Sequence, residues 1–387
     1  MQIKSSDSKT LLSSSHDLLE EMGLWKPLKP TLQPTPNLDF EDEPTTRAVL
    51  RNYFLNTFDT YEQLFDCLKN EEAFYVKPIA LRHPLIFYFG HTATFFINKL
   101  LLAQLIPERL NPHMESIFAI GVDEMSWDDL DEQNYHWPSI QAVRDYRHQV
   151  RALVLKVIEH APLQLPLNWH NPWWTIIMGI EHERIHLETS SVLIRQHQLR
   201  YVQNHPQWRA NVITGIAPEN SLVKVPAGQV NLHKNFEHAF YGWDNEYGHH
   251  HAEIEEFEAS KYLVSNQEFL AFVEAEGYQT ANYWTEEGQQ WLAFSQATHP
   301  TFWIKTELGW SLRLMLEEVP MPWDWPVEVN YHEAKAFCNW KSVQTGESIR
   351  LPTEDEWYRL YAVSGLDPKL PSPEQANIEL KYGPNSF

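Results

Sequence analysis

The chain has 387 residues, 43% hydrophobic and 21% charged, and a formal net charge of −22. That length accommodates two domains with separate cores, and the acidic balance repels phosphate backbones and anionic lipid, so neither nucleic acid nor a membrane surface is expected as a partner. Only two cysteines occur, Cys67 and Cys338, which argues against a disulfide framework and for a reducing, cytoplasmic compartment; the N-terminus has no uninterrupted apolar run of the secretory kind.

Residues 1–45 are Ser-rich and then Pro-rich, and read as a tail or extended arm. Helical periodicity starts near Thr46, where Val49, Tyr53, Leu55, Phe58, Tyr61 and Phe65 form a stripe. A second helix begins at Pro84 and carries His91. The run 85–106 is long enough to span a bilayer, but His91, Asn98 and Lys99 sit in its middle, so it reads as a buried bundle helix. A third helix follows in "WPSIQAVRDYRHQVRALVLKVIEHA", and a fourth opens at Asn171-Pro172 and runs to about Gln198. Four long amphipathic helices predict a four-helix bundle over 46–202, a fold that builds metal sites from inward-pointing side chains.

Residues 203–220 break the helical pattern and read as a linker to a second domain over 221–387. There "HAEIEEF" alternates like a strand, with His250, Ala252 and Ile254 on one face. Trp284, Trp291, Trp303, Trp310, Trp323, Trp325, Trp340 and Trp357 fall within 74 residues. Most are expected to fill irregular gaps in a core rich in loops.

The segment "GIEHERIHLETSS" at 179–191 can be parsed in two ways. As H-E-x-x-H it is a zinc protease signature with Glu183 as general base; the metzincin extension would need Gly at 189 and His at 192, where the chain has Thr189 and Val192. As H-x-x-x-H-x-E it offers His182 and His186 one turn apart on one helical face. Glu188 then lies roughly 200° from His186 and is expected to support the site from behind or pack the helix, with a plain surface carboxylate as the alternative. His91, alone in the apolar stretch "FYFGHTATFF", supplies a third ligand, or else is a satisfied core histidine. Three neutral imidazoles leave about half of an octahedral ion's positions open, which suits a redox metal and also admits zinc.

Together these residues resemble the nonhaem iron sulfoxide synthases of thiohistidine biosynthesis. Their N-terminal domain is a DinB-like four-helix bundle, and the second has the formylglycine-generating (sulfatase-modifying factor, C-type-lectin-like) fold. The match to the second runs through "VKVPAGQVNL", "WDNEYG", "YLVSNQEFLAFVEAEGY", "HPTFW", "PVEVNYHEAKAFCNWK" and "RLPTEDEWYRL". The implied fold class is multidomain, α followed by a loop-rich α+β domain, and Cys338 matches a common structural cysteine of that fold. The implied metal is Fe(II), held by His91, His182 and His186. "RHPLIFYFGHTATFFINKL" and "ESIFAIGVDEMSWDDL" resemble the ovothiol branch, and Trp137 stands where the ergothioneine branch usually has an arginine for a γ-glutamylcysteine carboxylate. The resemblance therefore implies joining of L-cysteine to the imidazole of L-histidine with dioxygen, giving 5-histidylcysteine sulfoxide. An ergothioneine-type synthase, a noncatalytic metal-binding fragment and a zinc hydrolase are the alternatives. The family's second domain continues beyond "KYGPNSF" with the active-site tyrosine and several substrate contacts, so this chain is expected to be a fragment that binds iron with little turnover.

Overall fold

The computed structural model describes residues 31–119, 136–210, 212–366, 377–381 and 383. Helix α1, Glu43–Leu64, starts three residues before the periodicity predicts, because Asp42 accepts the Thr45 N–H at 2.8 Å and Pro44 occupies the first turn. A single turn, α2, Glu72–Tyr75, leads to α3, Leu85–Leu102, and a short α4, Pro112–Ile117, capped by Asn111. Helix α5, Ile140–His160, is capped by Ser139. Helix α6, Trp174–Gln196, begins later than expected: the Asn171 side chain accepts the Trp173 N–H at 3.0 Å, closing a turn ahead of the helix, and α6 itself has no side-chain cap.

Helices α1 and α3 each pack against both α5 and α6, which makes the expected bundle. Leu50, Phe54, Phe58, Phe89, Phe96, Ile97, Val150, Val154, Ile177 and Ile180 are fully buried between them. Each such side chain contributes about 1.5–3 kcal/mol on leaving water. On α1 the buried stripe is broader than predicted: Tyr53, Phe58 and Tyr61 are inside, as is Phe65 in the turn beyond, but Val49 and Leu55 are only half-buried, and Leu50, Phe54 and Leu64 join the core. A helix touching two neighbours buries more than one narrow face. Helix α3 has the length and composition to cross a membrane, yet thirteen of its eighteen residues are buried in the bundle.

Two glycines let the ligand-bearing segments approach closely. A Cβ on Gly179 would lie 2.4 Å from the Phe96 ring, so α6 can lie against α3 only with glycine there. A Cβ on Gly90 would meet Phe118 at 2.5 Å, on the segment that follows α4.

The arm is less free than a tail. Leu38 is buried and its N–H donates to Ala239 O at 2.6 Å, tying 31–42 to the second domain; residues 1–30 lie outside the described residues. The start of the expected linker is also packed, with Trp208 in the bundle core.

The second domain is assembled from small antiparallel sheets. Strand β1, Leu222–Val225, pairs with β4, Phe257–Ser260, and β2, Gly228–Lys234, pairs with β3, Gly248–Ile254, with Asn231 opposite His251. Strands β5, Trp303–Thr306, β6, Gly309–Arg313, and β7, Glu318–Pro320, form a third sheet in chain order. "HAEIEEF" is thus parts of two strands, in different sheets, interrupted at Glu255 and Glu256; Ala252 and Ile254 face partly inward, but His250 is exposed, 2.9 Å from Asp355. Helices α7, Asn266–Glu274, α8, Glu286–Ser295, α9, Tyr331–Thr345, and α10, Glu354–Val363, complete the described α-helices and strands. Phe269, Phe272, Trp284, Trp303, Phe337 and Trp340 make its core, with Trp291, Trp310, Trp323 and Trp325 partly buried against it. Trp357 departs from the core-packing expectation: it is half exposed and stacks on Tyr361 at 5.6 Å.

The last turn of α6 joins the two regions. Arg195 Nε donates to Arg313 O at 2.7 Å, Nη1 donates to Glu328 at 2.7 Å, and the guanidinium covers the Phe302 ring at 3.7 Å.

Candidate metal centre

Helix α3 brings His91 against the α6 face that carries His182 and His186. Their ligand atoms all lie within 4.8 Å of one another, and the three ring centroids are 4.5–5.0 Å apart. His91 and His182 are buried and His186 is nearly so. His91 Nδ1 donates to Phe118 O at 2.7 Å; a carbonyl can only accept, so the His91 lone pair is on Nε2. That nitrogen sits 3.3 Å from His182 Nε2.

Burial pushes the His182 imidazole well below its ordinary range, with His186 and His91 adding to it, and pushes His186 down to about 3, with His91 and Arg82 adding to it. Both rings are neutral near pH 7. The Nδ1 atoms of His182 and His186 are buried with no hydrogen-bond partner, so no neighbour dictates which nitrogen of either ring carries the lone pair, and each ring can present one toward His91 Nε2. A divalent transition metal fits. Two nitrogens about 2.1 Å from one ion are ~3.0 Å apart at a right angle and ~3.4 Å apart at a tetrahedral one, and the observed 3.3 Å lies between. The walls are aromatic: Phe95 stacks on His182 at 3.6 Å and 7°, Phe87 stacks on His91 at 5.3 Å and 14°, and Tyr88 lies 6.0 Å from His186.

The structure separates the two parses of 179–191. With 3.6 residues per turn, Glu183 lies roughly 80° from the middle of the histidine face and Glu188 roughly 220°. The Glu183 carboxylate is fully buried and accepts from Arg147 Nη2 at 3.0 Å and Thr92 Oγ1 at 3.1 Å. Burial raises its pKa to about 7 against the pull of Arg147. A general base has to reach a water on the ion; this carboxylate is committed to the bundle interior instead, and the zinc hydrolase alternative loses its base.

Glu188 requires a correction. It neither supports the triad nor packs the helix: it is exposed on the opposite side of α6, where it lines a cavity of about 550 Å³ with Arg184, Arg195, Trp208, Trp325 and Glu328. None of the three histidines lines that cavity.

Sequence reasoning missed Arg147, although a signal existed. Arg147 falls on the α5 stripe of Val143, Val150 and Val154, all 0% exposed, and is itself 0% exposed. A cation on an apolar stripe predicts a buried ion pair.

Three imidazoles gathered inside a helical bundle, joined to a loop-rich α+β domain, define a two-domain protein with a histidine cluster that could hold a metal ion. Residues 53–190 match the DinB superfamily, and 214–369 match the sulfatase-modifying factor enzyme 1-like domain. The chain is homologous to Ergothioneine biosynthesis protein 1 of Schizosaccharomyces pombe, 24% identical over 332 residues that cover 75% of this chain and 38% of that protein. It is also similar to the Neurospora crassa protein of the same name, 25% identical over 52% of this chain and 25% of the relative, and to Hercynine oxygenase of Mycolicibacterium smegmatis, 27% identical over 59% of this chain and 50% of the relative. The chain thus spans a quarter to half the length of these relatives. Its order of a DinB domain followed by a sulfatase-modifying-factor domain is the one the resemblance implies.

Proposed function

We propose that this chain belongs to an iron- and dioxygen-dependent sulfoxide synthase of the ergothioneine type, which joins the sulfur of a thiol to the imidazole ring of hercynine. The observation that carries the reading is the cluster of His91, His182 and His186, in a chain whose relatives are named for ergothioneine biosynthesis and hercynine oxygenation. The reaction balances without an added reductant: the S–H and C–H hydrogens leave as water with one oxygen atom, the C–S bond forms, and the second oxygen stays on sulfur. Bound at the triad, Fe(II) would supply the redox chemistry for dioxygen and open positions for both substrates.

The chain's own residues prepare that site. Three uncharged imidazoles leave the full cationic charge of the ion to attract a thiolate. Phe118 O fixes the His91 tautomer and its ring direction. Phe87 and Phe95 keep water from the backs of two ligands. Holding two substrates in attack geometry is where most of the rate would come from.

The sequence-based expectation named L-histidine, L-cysteine and the ovothiol branch. The relatives' names favour hercynine as the acceptor, so the ergothioneine type takes precedence. One observation favours the earlier branch: Trp137, where an arginine would hold a γ-glutamyl carboxylate, stacks on Phe118 at 6.2 Å and 18° and lies 5.9 Å from Phe87. The chain reconstituted with Fe(II) is exposed to oxygen with hercynine or histidine, each paired with cysteine or γ-glutamylcysteine, and products are read by mass spectrometry. A hercynine sulfoxide is expected, at the low turnover foreseen for a chain that spans a quarter to half of its relatives. Product only from histidine and cysteine restores the ovothiol branch, and no product from any pair leaves a noncatalytic metal-binding chain.

A further inference from the structure

The stripe that buries Val143, Val150 and Val154 also buries a guanidinium. Arg147 is boxed by the rings of Phe58, Phe89 and Tyr61 at 4.3, 4.8 and 5.3 Å. Within the box Nη1 donates to Phe89 O and to Thr92 Oγ1, both at 2.8 Å. Nη2 donates to Glu183 at 3.0 Å and Nε to Glu62 at 2.9 Å. One planar group on α5 therefore reaches α1, α3 and α6. Two of its partners are special by position: Thr92 directly follows His91, and Glu183 directly follows His182. Thr92 Oγ1 also donates to Glu183 at 3.1 Å, so the two ligand helices are tied to each other at the level of the triad.

We propose that Arg147 is a positioning residue for the metal centre: by bridging Thr92 and Glu183 it sets the rotation and height of α3 against α6, and with them the separation of the three imidazoles. The inference rests on the metal-binding reading above.

Stability alone does not call for this arrangement. A buried ion pair can often be replaced by well-packed apolar side chains without loss of stability. What apolar packing cannot supply is direction. A guanidinium presents its donors in a rigid plane and fixes the angle between its acceptors. Here the acceptors belong to the two helices whose relative setting decides whether three nitrogens meet at one point. A lysine at 147 would keep the charge but present it as a point with three rotatable donors, which fixes no angle between the two helices.

The test uses Co(II), which takes imidazole ligands and reports their geometry through its visible absorption. Co(II) is titrated into wild type, Arg147→Lys, Thr92→Val, Glu183→Gln and His182→Ala, after circular dichroism shows which of them unfold cooperatively. Arg147→Lys is expected to weaken Co(II) binding by ~10–100-fold and to shift the absorption bands, as changes in groups that orient ligands do. Thr92→Val, which removes one oxygen at nearly constant volume, is expected to move both readings the same way by less. Wild-type affinity and spectrum in Arg147→Lys, with only its melting temperature lowered, overturn the proposal. If Arg147→Lys does not fold, the same result in both Thr92→Val and Glu183→Gln overturns it. Co(II) binding by His182→Ala equal to wild type defeats the metal-binding reading itself, which separates that failure from this one.

Discussion

Between residues 43 and 196 the core is carried by four helices of 18 to 23 residues, whereas between 222 and 363 no described strand exceeds seven residues and the longest helix has fifteen. The first region buries a guanidinium whose three nitrogens are all hydrogen-bonded, and gathers three imidazoles; the second fills its core with Phe269, Phe272, Trp284, Trp303, Phe337 and Trp340. Long helices repeat their faces every few residues, so polar groups from distant parts of the chain can be aimed at one point. Short elements joined by turns have no such repeat, and large rings fill whatever gaps the turns leave. The bundle is suited to precision and the second domain to adaptable walls.

The sharpest way to break that contrast is at the triad. His182→Ala is expected to abolish retention of Fe(II) or Co(II) after dialysis, read by metal analysis, while Glu188→Ala leaves it unchanged within about twofold because Glu188 faces away from the ligands. Equal losses would return Glu188 to the site. Next in size is Trp303→Ala, which empties a site 2% exposed and packed against Phe269, Trp310 and Trp323. It is expected to cost the second domain ~3–5 kcal/mol in regional hydrogen exchange, with metal binding by the bundle intact. Loss of metal binding would show that the bundle cannot hold its geometry alone.

Acid separates the regions by a smaller amount. Below its ordinary value of 6.5 an unfolded histidine takes a proton, but folded His186 resists until about 3 and His182 is also held low. The metal-free bundle therefore loses stability as pH falls from 6.5. Glu183, raised to about 7 by burial, acts in the opposite sense between its ordinary 4.5 and 7, because there the folded state keeps a proton that the unfolded chain releases. Glu181, also raised by burial, acts with Glu183, and His197, also lowered by burial, acts with the other histidines; three histidines against two carboxyls leave a net loss of stability as pH falls from 6.5 toward 4.5. In the second domain Glu356 is held down at about 2 by its hydrogen bond from Arg350, so its contribution is complete above 4.5 and fades only as pH falls toward 2. Hydrogen exchange at pH 7.5 and 5.5 should show protection falling in the bundle and unchanged in the second domain; parallel losses would contradict the assignment.

The smallest effect is at the junction. Arg195→Lys gives up the paired contacts to Arg313 O and Glu328. It is expected to cost about 1 kcal/mol, seen as unfolding of the two regions becoming less coincident in a denaturant titration followed by region.

The four long helices were legible because their apolar stripes are long and regular, and their ends moved by only a few residues where Asp42 and Asn171 acted as caps of different kinds. The packing of the arm was not legible: Leu38 is buried in the core and its N–H bonds to Ala239 O, two hundred residues away, and local composition carries no record of such contacts. Arg147 was within reach of sequence reasoning, since it shares the stripe of Val143 and Val150.

What the sequence by itself determined is the pairing of His182 with His186, because residues four apart on any helix share a face, and the burial of His91 in an apolar helix. Only the tertiary structure decided which neighbours those faces meet. It turned Glu183 inward to Arg147 and left Glu188 at the junction with the second domain. It brought His91 within 3.3 Å of His182 because Gly179 lets two helices touch where a single methyl group would hold them apart.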